Sequence, residues 1–178
     1  MNIFPNQKII KKTWEQAAFN MLIASDFEDP GNGTVNLPKG DLDLCHRNLA
    51  IIKYFSENTL KKDWRWLVIA DDDTMLGVSK MMDLLQCYDQ FEDEFIPLGE
   101  RYGYFVSGPN SRGYNFLSGG GGIILNRKVA LKLNSGCSCP HPDPMDRMDD
   151  VHLGSCLNDL KIPIIHSDRL HQVRFSKL

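Results

Sequence analysis

The sequence predicts a single α/β domain, residues 1–178, in which helices flank a largely parallel sheet. Segments typical of strands alternate with segments whose apolar residues have helical spacing, which is the pattern of a parallel layered domain. The length of 178 residues fits one domain with a buried core. A short apolar strand from Trp64 to Ala70 ends in three consecutive carboxylates, Asp71, Asp72 and Asp73. In open α/β sheets ligands bind outside the carboxyl ends of the strands, so these carboxylates mark the expected substrate end.

Two helices and one strand are predicted ahead of the acidic strand. Apolar residues at helical spacing predict helices over 6–19 and 41–57. Between them, residues 20–25 form a predicted strand, and a loop rich in Gly, Pro and Asn covers 28–40. A doubly wound nucleotide-binding fold normally opens with a strand, whereas here a helix comes first. Either the fold begins unusually or the chain lacks the first βα unit.

The region after Asp73 continues the alternation. The predicted elements are a helix over 77–91, short strands and turns over 96–118, a strand over 123–125, a helix beginning over 128–133, a loop over 137–146, a helix over 149–160 and a strand over 162–166. This order supports the α/β class.

Charge and hydropathy argue against several partners. The net charge is −3 and no basic block occurs, which disfavours nucleic acid or an anionic membrane as the main partner. No apolar run approaches the roughly 18 residues that cross a bilayer, and Met1 to Lys12 lacks the form of a signal peptide. Asn32-Gly33-Thr34 fits an N-glycosylation site, although such triplets often arise by chance.

The five cysteines leave at least one unpaired within the chain. Cys137-x-Cys139-x-His141 has the residue types of a zinc site. No second ligand pair stands at a suitable spacing, so disulfide bonding or free thiols is the preferred interpretation.

The carboxylates after the central strand predict a metal site. Adjacent carboxylates repel one another unless a cation or strong donors hold them, and Mn²⁺ or Mg²⁺ is the natural occupant. We interpret Asp71 and Asp73, on either side of Asp72, as a D-x-D motif that binds the cation and the diphosphate of a nucleotide-sugar. A solvated acidic turn with a helix-capping Asp is the alternative. A haloacid-dehalogenase phosphatase is set aside, because Met75 stands where that motif has Thr or Val.

Three other features have the residue types of a transferase site. Asp149 and Asp150 begin a predicted helix, where the helix dipole stabilises carboxylates; one of them could instead be a general base. Gly119 to Gly122 allow the backbone to approach a ligand closely, or form a flexible turn. His166 and His171, near the end of the chain, are surface residues or complete a metal shell begun by carboxylates.

Together these motifs resemble the fringe-like β-1,3-glycosyltransferases. That family pairs a strand ending in Asp-Asp-Asp with a glycine-rich turn, an acidic pair followed by Gly, and a late metal-binding His. The matching positions are Asp71 to Asp73, Gly119 to Gly122, Asp149-Asp150 with Gly154, and His171, with Lys12-Thr13-Trp14 and Ala24-Ser25-Asp26 upstream. Leu98 to Tyr104 is similar to the members that add glucose to O-linked fucose on thrombospondin type 1 repeats.

The resemblance implies a GT-A fold and metal-dependent transfer from a UDP-sugar with inversion at the anomeric carbon. By that analogy Asp73, Asp71 and His171 bind Mn²⁺. Asp71 or Asp72, with Gly119, Gly120 and Gly121, helps to hold the nucleotide-sugar. Asp150 is the expected catalytic base and Asp149 its rival, because inversion needs a base on the face opposite the leaving UDP.

The resemblance also implies an enzyme of the endoplasmic reticulum or Golgi lumen, anchored to the membrane in its full-length form. The family's first strand and loop, which help to grip the uridine, have no counterpart ahead of Phe4, and neither does an anchor or signal peptide. We therefore expect a fragment of a longer chain or a shortened form that binds nucleotide less well.

The leading expectation is transfer of glucose from UDP-glucose to O-linked fucose of a glycoprotein. The alternatives are N-acetylglucosamine transfer to O-fucose, galactose transfer to O-linked N-acetylgalactosamine, and a non-catalytic glycan-binding remnant.

Overall fold

The computed structural model describes residues 7–14, 21–25, 34–36, 44–57, 64–107, 112–139 and 148–172. In chain order the elements are α1 (Gln7–Lys12), β1 (Ile23–Ser25), β2 (Thr34–Asn36), α2 (Leu44–Glu57), β3 (Trp66–Ile69), α3 (Val78–Gln86), β4 (Pro97–Gly99), β5 (Arg101–Tyr104), β6 (Tyr114–Leu117), β7 (Ile123–Asn126), α4 (Arg127–Gly136), α5 (Asp149–Asp159) and β8 (Ile165–His166). Short 3₁₀ turns cover Asp89–Phe91 and Gly119–Gly121.

The α/β class is confirmed, and the central sheet is mixed, with three of its four strands running in the same direction. Its strand order is β3-β7-β4-β8. β7 lies antiparallel between β3 and β4, while β8 runs parallel to β4. Three strands therefore point the same way and β7 points the opposite way. Alternation along the sequence cannot reveal this, because it does not specify which strand lies between which neighbours.

The middle strand β7 divides the core into two layers. Ile123, Ile124 and Leu125 are fully buried. Ile123 and Leu125 pack with α2, α4 and α5 on one face, and Ile124 packs with Leu85 and Leu98 on the other. Because successive strand side chains point to opposite faces, an uninterrupted apolar run is what a strand covered on both sides requires.

The hairpin of β5 and β6 lies against α5 at a contact that needs glycine. A Cβ built on Gly154 would lie 2.3 Å from the Cβ of Phe116 and 2.9 Å from the carbonyl oxygen of Asn115. Gly154, the glycine that follows the acidic pair, thus allows α5 to lie directly on β6. This close packing aligns the first turn of α5 with the sheet end described below.

Several predicted elements are shorter than expected, and one was missed. The predicted helix over 6–19 is confirmed as α1 only to Lys12; residues 15–19 lie outside the described part. Within the described residues 21–25 the predicted strand is confirmed as β1, and the predicted strand over 162–166 narrows to β8. β2 lies inside the predicted loop over 28–40 and pairs in parallel with β1. Its three residues are too few to show a periodicity, and a glycine and a proline lie close on either side.

The cysteines form disulfides rather than a zinc site. Cys137 pairs with Cys156, with their Cα atoms 5.6 Å apart, and Cys139 is also disulfide-bonded. Cys87 is free, as the odd count predicts. The disulfide joins the end of α4 to α5. No helix within the described ranges has the length and apolar character to cross a membrane.

Candidate active site

The sheet brings the sequence-predicted site residues to one end. Ile69, at the end of β3, lies opposite Ile123, at the start of β7. Gly99, at the end of β4, lies opposite the same Ile123 and beside His166 of β8. The carboxyl ends of three strands therefore meet the amino end of β7. The acidic cluster follows β3, the glycine turn precedes β7, and the segment that contains His171 follows β8. All three segments therefore lie at this end of the sheet.

The acidic cluster forms a tight turn directly after β3. The backbone N–H of Thr74 donates to the carbonyl oxygen of Asp71 at 3.1 Å. Partial burial of its carboxylate raises the pKa of Asp71, and the negative charges of Asp73, Asp72 and Asp150 raise it further, while Arg47 lowers it. The effect of Arg47 does not offset these causes, so the ionised form of the Asp71 carboxylate is disfavoured.

Thr74 connects the acidic turn to two other parts of the chain, a role that the sequence did not suggest. Its side chain is buried, and its hydroxyl donates to the carbonyl oxygen of Gly120 at 3.5 Å. Its own carbonyl oxygen accepts a hydrogen bond from the indole N–H of Trp14 at 3.2 Å. The early Lys-Thr-Trp segment therefore contacts the base of the acidic turn.

The glycine turn lies between two acidic groups from distant parts of the chain. Its first residue, Gly119, donates its backbone N–H to Oδ2 of Asp150 at 3.2 Å. A Cβ built on Gly119 would lie 3.8 Å from Oδ2 of Asp71 and 3.9 Å from Oδ2 of Asp150. Gly122 has a backbone φ of 86°, which residues other than glycine rarely adopt. The turn thus brings the two carboxylates to one location.

Asp149 and Asp150 occupy the first turn of α5, as predicted. Oδ1 of Asp150 accepts from the N–H of Val151 at 2.7 Å, so both of its oxygens accept backbone hydrogen bonds. Oδ1 of Asp149 accepts from the N–H of Asp150 at 2.9 Å. Burial, followed by the negative charge of Asp150, raises the pKa of Asp149 to about 6. Backbone donors therefore orient the carboxylate of Asp150, whereas burial and the charge of Asp150 disfavour the ionised form of Asp149.

His171 lies at the same sheet end, beside a carboxylate that sequence reasoning missed. Its Nδ1 is 3.4 Å from Oε1 of Glu100, which directly follows β4. Oε2 of Glu100 accepts from the backbone N–H of Gln172 at 2.6 Å. Burial alone would raise the pKa of Glu100, but hydrogen bonds from Gln172, Tyr102 and His171 lower it below its ordinary value.

Gln172, also missed, holds the glycine turn from the side of His171. Its side-chain carbonyl accepts a hydrogen bond from the hydroxyl of Ser118, the residue before the turn. A Cβ built on Gly120 would lie 2.9 Å from carbon atoms of the Gln172 side chain. The second glycine of the turn permits this close approach, and a larger residue there would displace the Gln172 side chain. His166, by contrast, accepts from the backbone N–H of Arg101 through Nδ1 at 3.2 Å.

The donor set at this sheet end fits a hard divalent cation. Carboxylate oxygens suit hard cations such as Mn²⁺, and a neutral imidazole can complete a metal shell that carboxylates begin. Burial and then the neighbouring negative charges raise the pKa of Asp71, and a cation would offset the second of these effects. Within the described residues, three His, Cys, Asp or Glu ligand atoms approach within 4.8 Å of one another only at Cys137, His152 and Cys156, whose sulfurs are already bonded together. Asp71, Asp73 and His171 therefore share this end without forming a closed ligand cluster.

Comparison with known proteins places these features in a family. A family model described as Fringe-like matches residues 6–177. A β-1,3-glucosyltransferase from Homo sapiens is 40% identical over 169 residues, which cover 93% of this chain and 32% of that protein. A β-1,3-glucosyltransferase from Mus musculus is 38% identical over 169 residues, covering 93% of this chain and 33% of the relative. The chain thus spans about a third of the length of these curated relatives.

Proposed function

The chain belongs to the Fringe-like family, and from that premise we propose that it is a metal-dependent, inverting β-1,3-glycosyltransferase. The proposed reaction moves glucose from UDP-glucose to O-linked fucose of a glycoprotein. The names of the two relatives, both β-1,3-glucosyltransferases, support a hexosyltransferase and favour glucose as the donor sugar. The similarity of Leu98 to Tyr104 to members that act on thrombospondin type 1 repeats supports an acceptor of that kind.

The observation that most supports this reaction is the meeting of Asp71 and Asp150 at Gly119. An inverting transfer needs a group that holds the diphosphate of the donor and a base that acts on the acceptor from the opposite face of the sugar. Here those two kinds of carboxylate come from the end of β3 and the start of α5, with glycine backbone between them. A sugar bound at the glycine turn would be close to both carboxylates.

Asp150 is the proposed base and Asp149 its alternative. As the acceptor hydroxyl attacks the anomeric carbon, its proton passes to the carboxylate while the bond between the sugar and UDP breaks. Backbone N–H groups donate to both oxygens of Asp150 and orient its carboxylate. Asp149, with a pKa of about 6, would act as a base only above that pH.

The donor end of the site is assigned to the acidic cluster and the glycine turn. Asp71 and Asp72, with Gly119, Gly120 and Gly121, would hold the nucleotide-sugar. Asp73, Asp71 and His171 would hold Mn²⁺, which neutralises the diphosphate leaving group when bound. Burial raises the pKa of Asp71 and the nearby carboxylates raise it further; a cation would relieve the repulsion among the carboxylates.

The proposed setting is the lumen of the endoplasmic reticulum or Golgi. The Cys137–Cys156 disulfide and the disulfide-bonded Cys139 support an oxidising compartment, since structural disulfides rarely persist in the cytosol. The acceptor glycoproteins would be modified in the same compartment.

Mn²⁺-dependent binding of UDP tests the donor half of the proposal. Isothermal titration calorimetry of the wild-type chain should show UDP binding that requires Mn²⁺, and Asp73→Ala should abolish it. Asp159→Asn, which changes an exposed carboxylate at the far end of α5, is the matched control and should bind like the wild type. If the wild type fails to bind UDP with Mn²⁺, the transferase proposal is wrong and the non-catalytic remnant is favoured.

A further inference from the structure

The carboxylate of Glu100 contacts two consecutive residues near the end of the described chain, His171 and Gln172. We propose that Glu100 is a positioning residue that fixes the tautomer and orientation of His171, so that Nε2 of the imidazole is the metal-binding atom. The inference rests on the proposed function in assigning His171 to the metal. Its first test, however, concerns a hydrogen bond within the metal-free chain.

The sheet fixes Glu100 more firmly than it fixes His171. The carbonyl oxygen of Glu100 accepts from the backbone N–H of Ser118 at 2.9 Å, beside the glycine turn. The carbonyl oxygen of its neighbour Gly99 accepts from the N–H of Ser167, just after β8, also at 2.9 Å. The side chain of Glu100 is only 14% exposed, compared with 61% for His171. An anchored, largely buried carboxylate thus holds an exposed imidazole.

Both oxygens of Glu100 act on the His171 segment. Oε2 accepts the N–H of Gln172 at 2.6 Å, and Oε1 lies 3.4 Å from Nδ1 of His171. The first contact fixes the backbone and the second fixes the ring. Together the two contacts limit the position of the backbone between His171 and Gln172 and the rotation of the His171 imidazole.

The chemistry of the two groups determines the tautomer. An ionised carboxylate only accepts hydrogen bonds, so Nδ1 of a neutral His171 must carry the proton and donate it. Nε2 is then left with its lone pair, and among the described residues no group donates a hydrogen bond to it. Histidines that bind metals commonly donate their other ring N–H to a carboxylate in this way.

A merely structural role for Glu100 makes a different prediction. If the side chain served only to hold the backbone of Gln172, its loss would loosen the end of the chain without selecting a ring nitrogen. The tautomer of His171 separates the two roles, because a structural support has no reason to favour Nδ1–H over Nε2–H.

Nitrogen NMR of the metal-free chain tests the tautomer directly. With ¹⁵N-labelled histidine at about pH 8, well above the ordinary imidazole pKa, His171 should be protonated on Nδ1 in the wild type. Glu100→Gln keeps the size of the side chain, but its amide has one acceptor oxygen for two donors, so the Nδ1–H signal should give way to a tautomer mixture. Glu100→Asp, which keeps the charge, should retain more of the Nδ1–H form. Glu92→Gln, an exposed position, should leave it unchanged.

Metal affinity provides the second measurement. Loss of such a carboxylate partner typically weakens metal binding by about 10–100-fold, and we expect Glu100→Gln to weaken Mn²⁺ binding by that factor while Glu92→Gln does not. Protonation of wild-type His171 on Nε2 would overturn the inference, and so would unchanged Mn²⁺ affinity in Glu100→Gln. Failure of the wild type to bind Mn²⁺ would instead contradict the proposed function, and the NMR result would still decide the Glu100–His171 contact. Thermal unfolding of each variant identifies any that do not fold, and if Glu100→Gln is among them the tautomer of wild-type His171 alone decides the inference.

Discussion

Replacing Asp149 by Asn should stabilise the protein near neutral pH. Burial and the adjacent charge of Asp150 raise the pKa of Asp149 from 3.8 to about 6, so the folded structure disfavours its ionised form. A shift of about two pH units corresponds to about 3 kcal/mol as an upper limit. Because Asp149 is only partly buried, solvent screening reduces this, and we expect a gain of about 1–2 kcal/mol. Asn keeps the side-chain oxygen that accepts from the N–H of Asp150.

The sign of the pH dependence follows from the raised pKa. Between pH 3.8 and about 6 the folded chain binds more protons at Asp149 than the unfolded chain does. The free energy of unfolding therefore falls as the pH rises through this window, and the full penalty remains at higher pH. The gain from Asp149→Asn should be about 1–2 kcal/mol at pH 7 and close to zero near pH 4.

Urea unfolding at several pH values measures this gain. The matched control is Asp159→Asn, at the exposed end of the same helix, where the change should be below about 1 kcal/mol and should vary little with pH over this range. A destabilised Asp149→Asn at pH 7, or a gain that is the same at pH 4 and pH 7, would refute the reasoning. Such a result would mean that the carboxylate of Asp149 is stabilised by donors rather than disfavoured by burial.

Two other substitutions test the roles of α5. Asp150→Asn should reduce turnover by at least about 10²-fold, as loss of a general base does, while Mn²⁺-dependent UDP affinity changes little; a parallel loss of UDP affinity would make Asp150 a ligand or structural group instead. Gly154→Ala should cost about 1–3 kcal/mol in thermal unfolding, because its Cβ would overlap Phe116. Gly77→Ala, where the nearest atom is 3.9 Å away, is the control, and equal effects at the two sites would contradict the packing explanation.

The residues of the candidate site were easier to predict than the sheet that assembles them. Asp71 to Asp73 follow a short apolar strand, and that local pattern correctly indicated β3 and its acidic end. The antiparallel insertion of β7 depends on contacts between residues far apart in sequence, such as Ile69 with Ile123. Three of the four strands run in the same direction, but the sequence did not indicate that β7 runs the opposite way between two of them.

The residues that sequence reasoning missed act through long-range contacts. Glu100 has no local signal of its role, because its partners His171 and Gln172 lie more than 70 residues later. Thr74 is likewise buried between the acidic and glycine turns. Gly119 to Gly122 were predicted to let a ligand approach the backbone, which stays a prediction; the structure shows that Gln172 and two carboxylates lie close to that turn.

The measurement that tests the central proposal most directly is a transfer assay with a panel of UDP-sugars and an O-fucosylated thrombospondin type 1 repeat. With Mn²⁺ present, the protein should transfer glucose from UDP-glucose, and NMR of the product should show a β-1,3 bond to fucose. Turnover only with UDP-N-acetylglucosamine would contradict the assignment of the donor sugar. Absence of transfer from every UDP-sugar would contradict the proposal that the carboxylates meeting at Gly119 form an active site.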